Sequence, residues 1–434
     1  MKIKTIISEN YVRAVLLLNS FMSLFFLPIL LYKITLENYG NYLLIIAAAS
    51  FLHSFINPGF FNIITAFSFK WLNKKIFTIR VLTYYILILF LAIITYIFLN
   101  IFSSFFDFKS LIGVKNIEVV VLFSTSQLTQ LFCLNIFRML NKLKKYADAT
   151  LFYVLIDFFI KTYYLFNYEF SEIIFVIIIS AILLIFYTSL FAYEIFISKI
   201  SFDKIILPPK SELLYGLNFF ISNLIGKFSA YFDKPLINGI VSIEEFAIYA
   251  LARRIIGSFA TVRTTLKSLW IYHGIKSYNS LKFTGLTRKH LLNPFYLISF
   301  IGISITPIYI TYFLNDIPLV IYQYLMFLFP IELIWMIFYL LSIGIAVKKD
   351  SRYVALIQFL SLLVYLIAIF FLLKFEIFGV IASLYITLIS TIIFYYVLYK
   401  KLLNINIKLF KELLIITLIL LFINLFTQNL WQSI

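Results

Sequence analysis

The sequence predicts an all-α integral membrane protein of about 12, at most 13, transmembrane helices, arranged as two parallel, pseudo-repeated six-helix lobes around a central cavity. Three observations predict it. Of the 434 residues, 63% are hydrophobic and 13% charged, and the mean hydropathy is +1.01. A water-soluble domain is roughly 45–50% apolar and 25% charged, so no aqueous core could hide this much Phe, Ile and Leu. Apolar runs of about 20 residues, the length that crosses a bilayer as a helix, recur along the whole chain. One stretch near the start is repeated, without gaps, 207 residues later.

Spans are expected at 12–32, 41–66, 79–101, 117–137, 149–167, 172–196, 212–232, 244–266, 291–314, 318–344, 353–373 and 377–399. The first is too long for the apolar core of a cleaved signal and lacks a small-x-small site. The run at 412–427 is shorter and either spans or lies in the interface. The longer period of these runs excludes an outer-membrane barrel, whose strands are about 10 residues with alternating polarity. Pro208-Pro209-Lys210 falls in the connection after the sixth span. The expected division is therefore an N-terminal lobe 1–196, a cytoplasmic linker 197–211, a C-terminal lobe 212–400, and a basic segment with an extra apolar helix at 401–434.

Charge sets the orientation. If the N-terminus is cytoplasmic, the segments 1–13, 67–80, 138–148, 197–211, 267–290, 345–352 and 400–411 are too, and they hold 26 of the 36 Lys and Arg. Lys33, Lys109, Lys115, Lys161, Lys234 and Lys374 fall on the other side. Cytoplasmic loops collect Lys and Arg, and this bias accounts for the net charge of +17 without nucleic acid as a partner. The expected location is an inner, cytoplasmic membrane, with membrane lipids as the surroundings.

The repeat lays PILLYKITLENYGNY (Pro28 to Tyr42) over PLINGIVSIEEFAIY (Pro235 to Tyr249). Pro28 meets Pro235, Thr35 meets Ser242, Glu37 meets Glu244 and Tyr42 meets Tyr249. Both stretches join the first and second spans of a half. Each half has an even number of spans, so the repeats are expected to be parallel.

A charged residue at the bilayer centre costs about 2.5–3.5 kcal/mol on insertion scales, so intramembrane charge marks cavities, pathways or paired sites. In span seven, Asn223 and Lys227 share a helical face. In span eight, Arg254 and Ser258 share another, with Arg253 alongside. These five are the candidate substrate-binding residues of a cationic, hydroxyl-lined cavity; the alternative is pairing with acidic residues in helix packing. Asp157 and Lys161 stand four apart in span five, either as a self-neutralising pair or as a titratable carboxylate that couples transport to ions. Glu332 stands beside Pro330 in span ten, as a coupling group or as a protonated acid bonded to a freed carbonyl. His53, Ser54 and Asn57 in span two, and Ser124 to Gln130 in span four, form polar stripes of the kind that hold helices together in lipid.

Some chemistry is not expected. There is no Gly-Lys-Ser/Thr phosphate loop for ATP hydrolysis. With His53, His273, His290 and Cys133 as the whole complement of His and Cys, neither a zinc site nor an internal disulfide is expected, and no cofactor is called for. No external gap exceeds about fifteen residues, too short for a catalytic external domain, and the chain reads as a non-enzyme.

The segments LENYGNYLL (Leu36 to Leu44), FINPGF (Phe55 to Phe60) and YFDKPLINGIVSIEEFAIYALARRI (Tyr231 to Ile255) resemble the Wzx-type O-antigen flippases. These are polysaccharide transporters of the multidrug/oligosaccharidyl-lipid/polysaccharide exporter superfamily. The last segment resembles the family's Asp and basic residue closing span seven, here Asp233 and Lys234, followed by an acidic residue, a Tyr and a basic residue in span eight. The resemblance implies movement of undecaprenyl-pyrophosphate-linked oligosaccharide from the cytoplasmic to the periplasmic leaflet; alternating access between the two lobes and coupling to a proton or sodium gradient are the expected mechanism. It adds Asp233 to the coupling or gating candidates, beside Asp157, Lys161 and Glu332. A polysaccharide polymerase and a chain-length regulator are the protein partners it implies. The alternatives are an O-antigen polymerase-type membrane glycosyltransferase and a drug antiporter of the same superfamily.

Overall fold

Hydrocarbon offers a backbone N–H no water to bond, so a spanning chain must satisfy itself by helix or closed barrel. A computed structural model of the chain describes residues 2–73, 76–105, 117–140, 142–167, 172–197, 208–257, 320–331 and 352–403, with 312, 318, 334 and 335, and all regular structure among them is helical. In chain order these are α1 (Lys2–Lys33), α2 (Leu36–Ile56), α3 (Phe60–Asn73), α4 (Phe77–Phe105), α5 (Ile117–Met139), α6 (Leu143–Asn167), α7 (Glu172–Ile197) and α8 (Lys210–Asn238). Then follow α9 (243–257), α10 (Val320–Ile331), α11 (Arg352–Leu372), a 3-10 turn Leu373–Phe375, and α12 (Glu376–Leu403). Six stretches among the described residues are long and apolar enough to cross a membrane; the last, Ala355–Tyr395, takes in both α11 and α12. Large apolar side chains such as Ile185, Phe159, Phe370 and Phe371 point outward and are more than half exposed. Only lipid makes such a surface stable, and the protein is a multi-pass membrane protein.

The chain falls into two compact units, Met1–Leu236 and Ile237–Ile434. The sequence places the division at the 197–211 connection; in the structure α8 packs with the helices before it. In the first unit α5 is the hub, touching α2, α3, α4, α6 and α7. Its polar stripe follows from that place. Ser124, Ser126 and Thr129 are fully buried, and small hydroxyl residues let neighbouring backbones approach closely. Thr125 Oγ1 donates to Val121 O at 2.8 Å and Ser126 Oγ to Phe123 O at 2.9 Å, so these hydroxyls are satisfied within their own helix. Cys133 is a buried packing residue whose Sγ lies 3.1 Å from Tyr187 O.

Helix directions agree with alternate crossing. Along the α1–α6 seam, Tyr11 OH bonds Asp148 Oδ1 at 2.9 Å, Phe26 meets Phe158, and Lys33 sits 5.0 Å from the centroid of Phe166. Residue numbers rise together, so the first and fifth spans run parallel. In the second unit α11 and α12 form an antiparallel hairpin, with Thr391 Oγ1 on Ser361 Oγ at 2.6 Å.

The sequence repeat is a repeat of hydrogen bonds. Thr35 Oγ1 accepts from Asn38 N at 3.3 Å, capping α2; Ser242 Oγ accepts from Glu245 N at 3.2 Å, capping α9. Ile34 N donates to Leu30 O and Tyr39 N to Thr35 O; 207 residues on, Val241 N donates to Ile237 O and Phe246 N to Ser242 O. The buried positions match as well: Tyr39 with Phe246, Gly40 with Ala247, Tyr42 with Tyr249. Tyr42 meets Phe175 edge-on at 6.3 Å, and Tyr249 meets Tyr324 edge-on at 6.1 Å. The hydroxyl caps place a polar group where the first N–H groups of each helix have no carbonyl partner.

One expected span differs. The helix read at 41–66 breaks into α2 and α3 at Asn57-Pro58-Gly59. Proline carries no N–H for the ladder. Asn57 closes α2 by donating its N–H to His53 O, and its Oδ1 accepts from Phe61 N at 3.3 Å to open α3. Gly59 takes φ +80°, and a Cβ there would lie 2.1 Å from Gly216 O of α8. Only glycine fits both demands. Replacing Gly59 with Ala is expected to cost about 2 kcal/mol or more, while Gly257→Ala, with open space around it, stays within about 0.5 kcal/mol. Thermal unfolding of the two purified variants in detergent measures the contrast.

Candidate functional site

Among the described residues of the first unit, two built centres hold buried or half-buried charge. The first is on α6. Lys161 Nζ pairs with Asp157 Oδ2 at 2.5 Å, as the i, i+4 spacing predicts. The ammonium also lies 5.5 Å from the centroid of Phe26 on α1 and 5.8 Å from that of Phe175 on α7. Aromatic faces attract a cation, so three helices hold this one side chain. The other carboxylate oxygen, Asp157 Oδ1, is buried and has no hydrogen-bond partner among the described residues.

The second centre was not expected from sequence. Glu212, in the first turn of α8, is 3% exposed. Trp71 Nε1 donates to its Oε1 at 3.1 Å and Tyr84 OH to its Oε2 at 3.3 Å. Trp71 closes α3 and stacks on Tyr84 of α4 at 5.8 Å. Arg80, one turn before Tyr84, is 7% exposed and acts electrostatically on it. In the sequence, Glu212 reads as an ordinary acidic residue of a helix first turn at a span boundary. Trp71 and Tyr84 are two aromatics among many, and only the packing of α8 against α3 and α4 brings the three together.

The expected cationic cavity residues divide differently. Asn223 is exposed on α8. Lys227 and Asp233 fall within the same helix, but their side chains lie outside the described residues, as do Ser258 and Glu332 altogether. Arg253 and Arg254 are described: both are half-buried on α9, in a run where Phe246 to Ala252, Ile255 and Ile256 are buried and apolar. A guanidinium keeps its charge in any surroundings, so this double step of positive charge inside an apolar helix is a fixed feature. A neighbouring acid on α9, Glu245, accepts from Tyr324 OH of α10 at 3.1 Å. No group of three or more His, Cys, Asp or Glu that could hold a metal ion occurs among the described residues.

Breaking the α6 pair on one side strands a charge in the bundle. Asp157→Asn or Lys161→Met alone is expected to lose about 3 kcal/mol, and the double variant to recover most of it. Melting temperatures of the four proteins in detergent give the coupling directly.

The solved structures named below are described as transporters. No family model and no curated protein matches the chain. Among solved structures, it is similar to the MATE multidrug transporter DinF-BH, with a TM-score of 0.63 and 12% identity over 91% of this chain and 94% of that one. It is similar to the Vibrio cholerae MATE transporter VcmN, with a TM-score of 0.58 and 14% identity over 92% and 98%. A third is a transporter of the MOP superfamily from Pyrococcus furiosus, described as having a binding pocket of reverse polarity that suggests a different function. It matches with a TM-score of 0.56 and 13% identity over 90% and 94%. The chain thus has the fold of MATE transporters of the MOP superfamily, twelve helices in two lobes.

Proposed function

We propose that the protein is a flippase that carries an undecaprenyl-pyrophosphate-linked O-antigen repeat unit from the cytoplasmic to the periplasmic leaflet of the inner membrane. It does so by alternating access between two six-helix halves, 1–196 and 212–400. The observation that carries the reading is the Arg253–Arg254 pair, half-buried within the apolar run of α9. An anionic pyrophosphate with a glycan is the cargo that such a site favours. An organic cation is the cargo it disfavours. That a transporter of the same fold has a binding pocket described as reversed in polarity supports reading cargo from the sign of the charge. Asn223, Lys227 and Ser258 are further proposed substrate contacts.

Asp157 is the proposed coupling group, since its buried and unbonded Oδ1 leaves room for a proton; Lys161 holds it in place, and Glu332 and Asp233 are further candidates. The second reading is a drug antiporter of the MATE type, and it draws on the multidrug transporters among the structural neighbours.

Complementation tests the proposal. In a bacterium lacking its own flippase but supplied with the matching glycan synthesis genes, the chain is expected to restore long surface polysaccharide. Arg253→Gln with Arg254→Gln should cut restoration at least about tenfold at equal membrane abundance, as loss of two charge-assisted contacts implies. If units reach the outer face without the gene and only their lengthening fails, the polymerase reading replaces this one.

A further inference from the structure

We infer that Glu212 is a gating residue: its carboxylate, caged by Trp71 and Tyr84, latches the end of α8 to α3 and α4 on the face that the Lys and Arg distribution assigns to the cytoplasm. The inference rests on the alternating-access reading, because that cycle requires the first helix of the second half to part from the first-half helices at one face of the membrane.

The contact is a zipper along about two turns of α8. Glu212, Gly216 and Phe220 succeed one another at i, i+4 and i+8 of α8, one face of the helix. Glu212 takes its two hydrogen bonds from Trp71 and Tyr84. One turn on, Gly216 meets the backbone at Gly59, where neither residue has room for a Cβ: one on Gly216 would lie 2.5 Å from Ile63 Cδ1. Another turn on, Phe220 meets Phe55 edge-on at 6.3 Å. Beside this line, Tyr215 meets Phe67 edge-on at 5.5 Å. Most of these contacts are apolar or backbone, and apolar contacts between helices count for little in lipid, where the alternative neighbour is equally apolar. The carboxylate differs. Each oxygen has a donor, and a buried carboxylate that loses its donors is costly to keep buried. Parting α8 from α3 and α4 exchanges those donors for water at the membrane surface. The latch is therefore strong enough to hold one state and near enough to water to release.

Two variants separate a latch from ordinary packing. Trp71→Phe with Tyr84→Phe keeps the aromatic stack and removes both donors, leaving the Glu212 charge buried without its two hydrogen bonds. Adding Glu212→Leu removes the charge as well. The reporter is Ile63→Cys, placed in a Cys133→Ala background and labelled with a membrane-impermeant maleimide in inside-out vesicles. Ile63 is fully buried beneath Gly216. The latch gives slow labelling in the parent and about tenfold faster labelling in both the double and the triple variant; fast labelling in the double alone would assign the opening to a stranded charge and overturn the latch. Equal rates in all three overturn it.

Should the double variant fail to reach the membrane, a staple serves instead. Phe67→Cys with Tyr215→Cys, oxidised to a disulfide confirmed by mobility on a gel, must stop complementation and recover on reduction; unchanged activity with the disulfide formed overturns the latch. If the parent chain never complements, the flippase reading fails, while the labelling rates still report on the latch.

Discussion

The absence of water in the bilayer core governs this molecule. Every described regular element is helical because the backbone has no other partner there. The same constraint fixes where polar side chains stand. Two hydroxyls of α5 turn back on their own carbonyls, Thr125 on Val121 and Ser126 on Phe123. The helix starts at Leu36 and at 243 are closed by Thr35 and Ser242. The charges within the bundle are held in company: Lys161 by Asp157 and two aromatic rings, Glu212 by an indole and a phenol.

Much of this was legible in the sequence, for the same reason. Hydrocarbon imposes a length and a composition on each span: the expected helices at 12–32, 79–101, 117–137, 172–196 and 377–399 fall inside α1, α4, α5, α7 and α12, and the one at 353–373 overruns α11 by one residue. The repeat was legible because two helix starts need the same cap, the same turn and the same buried aromatic, so Thr35 with Ser242 and Tyr42 with Tyr249 stay matched where the rest has drifted. The Asp157–Lys161 pair was legible because i, i+4 contact is local to one helix.

What the sequence left hidden is non-local. The break at Asn57-Pro58-Gly59 was visible as residues, but α8 packed against Gly59 shows why the chain turns there. Glu212 looked like the acidic residue of an ordinary first turn; its value comes from Trp71 and Tyr84, 141 and 128 positions away. The same is true of Tyr324 on Glu245, 79 positions apart. Such pairs carry no spacing that a reader of the chain could recognise. The side chains of Lys227 and Asp233, and Ser258 and Glu332 altogether, lie outside the described residues, and their proposed roles rest on helix position and family resemblance.

Cargo is where the account stands or falls, because one fold serves multidrug transporters and a transporter of reversed pocket polarity alike. Purified protein in sealed liposomes, with lipid-linked oligosaccharide diphosphate confined to one leaflet and a lipophilic cation dye on one side, presents both cargoes at once. The account predicts that the oligosaccharide lipid becomes accessible to an impermeant glycosidase from the far side while the dye stays where it was placed. Movement of the dye with the oligosaccharide lipid left in its original leaflet would contradict it.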